Sequence, residues 1–62
     1  MNNLVLEGLA RRMLQDNPRS SPKIIASLLH RYFAARRLPV RPTYSRCYSE
    51  VVRAIIAQEH GQ

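Results

Sequence analysis

Cys47, His30 and His60 are the side chains of this chain best suited to nucleophilic, basic or metal-binding chemistry. A thiolate beside an imidazole makes a nucleophile and its base. The spacing argues against that use here. Cys47 falls beside Tyr48 and Val51 on an apolar arc, where a thiol behaves as a small buried hydrophobe, and both histidines fall on polar faces. One cysteine and two histidines are also too few for a zinc site, so no metal and no other cofactor is expected. No pair of acids, no Ser/His/Asp set and no glycine-rich phosphate loop stands at catalytic spacing, and the sequence predicts a protein that is not an enzyme.

Anion binding is the chemistry the residues do suit. Ten Lys+Arg stand against four Asp+Glu, a formal net charge of +6 with a sequence pI near 10.8. All but one of the ten are arginines, whose planar fork matches phosphate and carboxylate oxygens. The same skew fits GC-rich coding, as in a GC-rich bacterium or its phage. Between Asn17 and Arg53 lie Arg19, Lys23, Arg31, Arg36, Arg37, Arg41, Arg46 and Arg53, with Glu50 the sole acid. At helical spacing, Lys23, His30 and Arg37 form one basic stripe, and Arg46, Arg53 and His60 another. A face that serves only solubility mixes both signs, so a region this poor in acids predicts an external anion.

Two local clusters sharpen the expectation. Arg19-Ser20-Ser21-Pro22-Lys23 combines hydroxyls, cations and the positive end of a helix dipole, which together suit a phosphate. Arg36-Arg37-Leu38-Pro39-Val40-Arg41-Pro42 is a link stiffened by two prolines and carrying three arginines. The candidate site is therefore Arg19, Ser20, Ser21, Lys23, His30, Arg31, Arg36, Arg37, Arg41, Arg46 and Arg53, with the segment before Asp16 outside it.

The elements that must position these residues follow from the prolines, which divide the chain in three. At 100° per residue the apolar side chains of each part fall on one side of a helix. The first, about 3–15, collects Val5, Leu6, Leu9, Ala10, Met13 and Leu14, with Asn2 or Asn3 as cap. The second, 22–37, opens on a serine N-cap with proline at its first position and gathers Ile24, Ile25, Leu28, Leu29, Tyr32 and Phe33. Arg36 lies at the edge of that arc and must snorkel. The third, 44–60, gathers Tyr44, Cys47, Tyr48, Val51, Val52, Ile55 and Ile56, with Gly61 as its C-terminal cap. No period-two alternation or hairpin turn competes. The expected fold is all-α: a three-helix module forming a single small domain over residues 1–62.

A chain of this length buries only about 60% of its unfolded surface. Arcs near half the circumference exceed the stripe a small bundle needs, so a homodimer is expected. The aromatic residues are assigned to the core, leaving no exposed ring for a single strand to stack on. With a lone cysteine, no apparent leader and no long apolar run, the expected setting is the cytoplasm, away from membranes. The leading functional reading is a transcription-regulatory module binding the phosphate backbone of nucleic acid, duplex DNA first. A helix-turn-helix over the first two segments would present Ser20 to Arg31. The alternative is an adaptor, antirepressor or phage-type inhibitor that docks its basic face on an acidic protein.

Overall fold

The computed structural model describes residues 3–37 and 41–61. It places three helices in chain order, α1 (Asn3–Asp16), α2 (Pro22–Ala35) and α3 (Tyr44–Glu59), with no strand among the described residues. Each boundary has a chemical cause. Asn17 closes α1 by donating both its backbone N–H and its side-chain amide to the Met13 carbonyl, at 3.0 and 2.9 Å. Ser21 opens α2 in extended backbone, its Oγ accepting from the Ile24 N–H at 3.3 Å, with Pro22 at a position where a missing N–H costs nothing. Thr43 opens α3 in the same way, accepting from the Arg46 N–H at 3.2 Å. Gly61, at φ 76°, closes α3 and donates to the Gln58 carbonyl.

The helices match the expected segments except at the end of α2, which stops at Ala35 rather than at residue 37. Pro39 disfavours helical backbone in the residue before it, and the chain turns out early. Arg37 sits at φ 52°, left-handed backbone usually given to glycine, and its N–H donates to the Ala34 carbonyl at 3.2 Å. The expected stripe of Lys23, His30 and Arg37 is therefore broken at its last member. Asn2 and the central link residues Leu38, Pro39 and Val40 lie outside the described residues.

The core is one cluster of Leu6, Ala10, Leu14, Ile25, Ala26, Leu29, Phe33, Cys47, Val51 and Ala54, with Leu9, Met13, Tyr32, Tyr48 and Ile55 packed around it. Every pair of helices touches, and the Cα radius of gyration is 11.0 Å, close to the ~10.6 Å expected for a compact chain of this length. On α2 and α3 the buried faces are turned from the expected arcs, taking in Ala26, Glu50 and Ala54. Ala10, Ala26 and Ala54, one on each helix, are buried, while Val5, Ile24, Tyr44 and Ile56 are exposed. Small side chains allow the backbones to approach closely, and the larger residues at the arc edges are turned outward.

The left-handed Arg37 carries a backbone cost of about 1 kcal/mol or more, partly offset in the comparison by the greater unfolded entropy of glycine. Arg37→Gly is expected to raise stability by up to about 1 kcal/mol, or a melting midpoint by roughly 4–8 °C, read by thermal unfolding under circular dichroism.

Candidate anion-binding surface

The net charge is confined to one part of the fold. In α1, Arg11 and Arg12 are balanced by Glu7 and Asp16; in α3, Arg46 and Arg53 are balanced by Glu50 and Glu59. The whole excess of +6 therefore rests on Arg19, Lys23, Arg31, Arg36, Arg37 and Arg41, which lie on α2 and the two links that flank it. All six are exposed, and none makes an ion pair among the described residues.

Glu50 accounts for the difference between this distribution and the two basic stripes expected from spacing. It is buried, and its carboxylate lies 3.9 Å from both the Arg46 and Arg53 guanidinium groups. Those separations exceed hydrogen-bonding range, but they place one negative charge between two positive ones in a partly desolvated position. Arg53 and Glu50 also line a cleft against α1 with Glu7 and Arg11, themselves paired at 2.7 Å. Arg46 and Arg53 thus share one internal counter-charge on the α1/α3 flank. Both remain exposed, and His60, also exposed, caps α3 beyond its last helical residue.

At the start of α2 the phosphate seat is narrower than the sequence suggests. Pro22 has no N–H, the Ile24 N–H is taken by Ser21 Oγ, and the Ile25 N–H donates to the Ser21 carbonyl at 3.1 Å. The Lys23 N–H is left for an outside acceptor, with the exposed Lys23 and Arg19 side chains nearby in sequence. Ser20 is half-buried in the turn, donating its N–H to the Asn17 carbonyl, so Ser21 serves the helix and Ser20 the turn.

The outward stripe of α2 consists of Lys23, Ile24, Ser27, Arg31, Ala34 and Ala35. It is small and sparsely charged in its middle, with cations gathered at the helix ends. Arg36 lies with its guanidinium 4.2 Å from the centre of the Tyr32 ring, a cation–π contact that realises the expected snorkelling and fixes the charge at the C-terminal end. His30 is half-buried and meets Tyr44 edge-on, with ring centres 6.3 Å apart, so it belongs to the α2/α3 seam rather than to the solvent stripe.

The spacing-based assignment of Tyr44 to the core is also corrected. Tyr44 is 39% exposed and its hydroxyl donates to the Lys23 carbonyl at 3.3 Å. Tyr48 is half-buried beside it. Position at the first turn of α3 is the signal that could have separated Tyr44 from the arc, because a helix end packs on one side only. Cys47 is fully buried, and desolvation pushes its thiol above the ordinary value of 9.0, outweighing a backbone hydrogen bond that acts the other way. It is a neutral core side chain at physiological pH. Among the described residues no group of His, Cys, Asp and Glu could hold a metal ion, and no helix is long and apolar enough to cross a membrane.

Comparison of the chain with known protein families, with characterised proteins and with solved structures finds no match.

Neutralising Glu50 releases Arg46 and Arg53 from their internal partner. Glu50→Gln is expected to elute from a heparin column at higher salt than the parent protein. Its binding to duplex DNA is expected to depend more steeply on salt, by about 0.9 in log–log slope for each additional phosphate neutralised. A melting curve on the same samples is expected to show a modest loss of stability.

Proposed function

We propose that this chain is a non-catalytic nucleic-acid-binding module, transcription-regulatory in role, that lays α2 against duplex DNA. The observation that carries the proposal is the confinement of the full net charge to α2 and its flanking links, with no acid between Asp16 and Glu50. An α-helix fits the major groove, about 12 Å wide, when the side chains facing the bases are small enough for close approach. Ser27, Ala34 and Ala35 satisfy that requirement, and Arg31 projects among them with a fork suited to guanine. The 14 residues of α2 span about 21 Å, with Arg19 and Lys23 at one end and Arg36, Arg37 and Arg41 beyond the other. These end cations suit the phosphate strands that border a groove.

Unpaired like charges disfavour the compact state, and an external polyanion removes that repulsion. Roles divide within the set. Arg19, Lys23, Arg36, Arg37 and Arg41 neutralise phosphates without regard to sequence, while Arg31 is the residue placed to discriminate between bases. The reducing cytoplasm remains the expected setting for a chain with one buried free thiol.

A second reading draws on a different observation. Leu4, Val5, Ile24 and Ile56 leave large aliphatic side chains about half or more exposed, and a protein partner, including a second copy of the chain, would cover them. In that reading the α2 charges meet an acidic protein surface.

Fluorescence anisotropy with labelled duplexes across a salt series distinguishes the two. Lys23→Ala and Arg37→Ala are each expected to weaken binding to every duplex alike and to lower the log–log salt slope by about 0.9. Arg31→Ala is expected to reduce discrimination between sequences by about 1–3 kcal/mol. A protein that binds no duplex even at low salt would overturn the nucleic-acid reading in favour of a protein partner.

A further inference from the structure

Where α2 meets the first turns of α3, Lys23, Tyr44, Ser45, Tyr48 and Ser49 line a groove of about 380 Å³. Two tyrosines, two serines and a lysine make up its lining, which is mostly apolar and contains no acid. Tyr44 is held there from three sides. Its hydroxyl donates to the Lys23 carbonyl at 3.3 Å, its ring meets His30 edge-on at 6.3 Å, and it lies 6.4 Å from the Tyr48 ring at a tilt of 31°. A ring already fixed in place loses little conformational freedom when a ligand stacks on it, and Tyr44 keeps 39% of its surface open.

We propose that this groove receives the base of an unpaired nucleotide, stacked on Tyr44, with the adjoining phosphate on Lys23. The inference rests on the nucleic-acid reading above and extends it from duplex backbone to single-stranded segments. The groove's chemistry favours this occupant. A base presents a flat apolar face with polar edges, matching tyrosine rings flanked by hydroxyls that both donate and accept. The phosphate beside it needs a cation, and Lys23 stands at the rim with Arg19 just before it in the chain. A purely aliphatic occupant would leave the ammonium and hydroxyls unused, and a lone carboxylate would leave the rings unused. Lys23 is shared between the α2 face and the groove, so duplex and single-stranded segments would meet at one cation.

The chain has three tyrosines and no tryptophan, so its own emission reports stacking. Titration with oligothymidylate is expected to quench tyrosine emission. Tyr44→Leu removes the aromatic face and is expected to weaken single-strand binding by about 5-fold or more, the loss typical of one stacked base, while leaving duplex affinity unchanged. Tyr44→Phe retains the ring while losing its hydroxyl anchor and is expected to weaken binding far less than Tyr44→Leu. Ser49→Glu, which adds a carboxylate at the groove without touching the core, is expected to abolish the quenching, and it carries the test if Tyr44→Leu proves unfolded by circular dichroism. Duplex binding that persists while both groove variants bind the single strand like the parent overturns this inference and leaves the duplex reading standing. Absence of binding to either strand overturns both. An acidic tryptophan-bearing peptide that binds more tightly than oligothymidylate, and loses affinity in Tyr44→Leu, assigns the groove to a protein partner instead.

Discussion

The placement of Ala10, Ala26 and Ala54 in one core, one from each helix, is the constraint on which the other features depend. Each is at most 4% exposed. Three short helices cannot enclose every apolar side chain they carry, and a close-packed core mixes these alanines with large residues such as Leu6, Ile25, Leu29 and Val51. That packing turns α2 and α3 away from the middle of their apolar arcs. On α2 it brings Ile25, Ala26, Leu29 and Phe33 inward and leaves Ile24 at the surface; on α3 it draws Glu50 into the flank of the core and pushes Ile56 and Tyr44 toward its edge.

The same rotation sorts the charge. Glu50 carried inward between Arg46 and Arg53 offsets one of their two charges, Glu59 brings α3 to formal neutrality, and the i,i+4 pairs Glu7–Arg11 and Arg12–Asp16 balance α1. The exposed pairs of α1 contribute little to stability. The consequence of the balance is for the external field, because the acids of α1 and α3 cancel the charge of two helices and leave that of the third. Capping serves the same end. Ser21 and Asn17 satisfy the backbone of the α1–α2 link from within, and Arg36 is laid on Tyr32, so the remaining cations sit on a framework that does not need them. A basic surface whose charges have no structural task inside the fold is available to an outside anion.

Much of this is legible in the residues. Proline positions and the 3.6-residue period locate three helices, Ser21-Pro22 marks the start of α2 and Gly61 the end of α3, and the apolar neighbours of Cys47 indicate its burial. Rotation about each helix axis is not legible, because an arc of half the circumference admits several inward directions and only the partner helices select one. Hence spacing assigns Val5, Ile24, Tyr44 and Ile56 to a core they do not join. The role of Glu50 follows from that rotation and is equally hidden, although its spacing from Arg46 and Arg53 on one helix allows the pairing. Periodicity also makes Arg37 helical, since no rule of composition places arginine in left-handed backbone; the early exit of the chain ahead of Pro39 puts it there.

On this reading α2 and its flanks, which carry five arginines, and not α3, which carries two, form the anion-binding face. Backbone amide shifts followed by nuclear magnetic resonance during titration with duplex DNA test this directly. The perturbed amides are expected to cluster at Arg19, Lys23, Ser27, Arg31, Arg36, Arg37 and Arg41, with those of Arg53 and its neighbours on the α1/α3 flank unmoved. Perturbations centred on Glu50 and Arg53, with Ser27 and Arg31 silent, would contradict it.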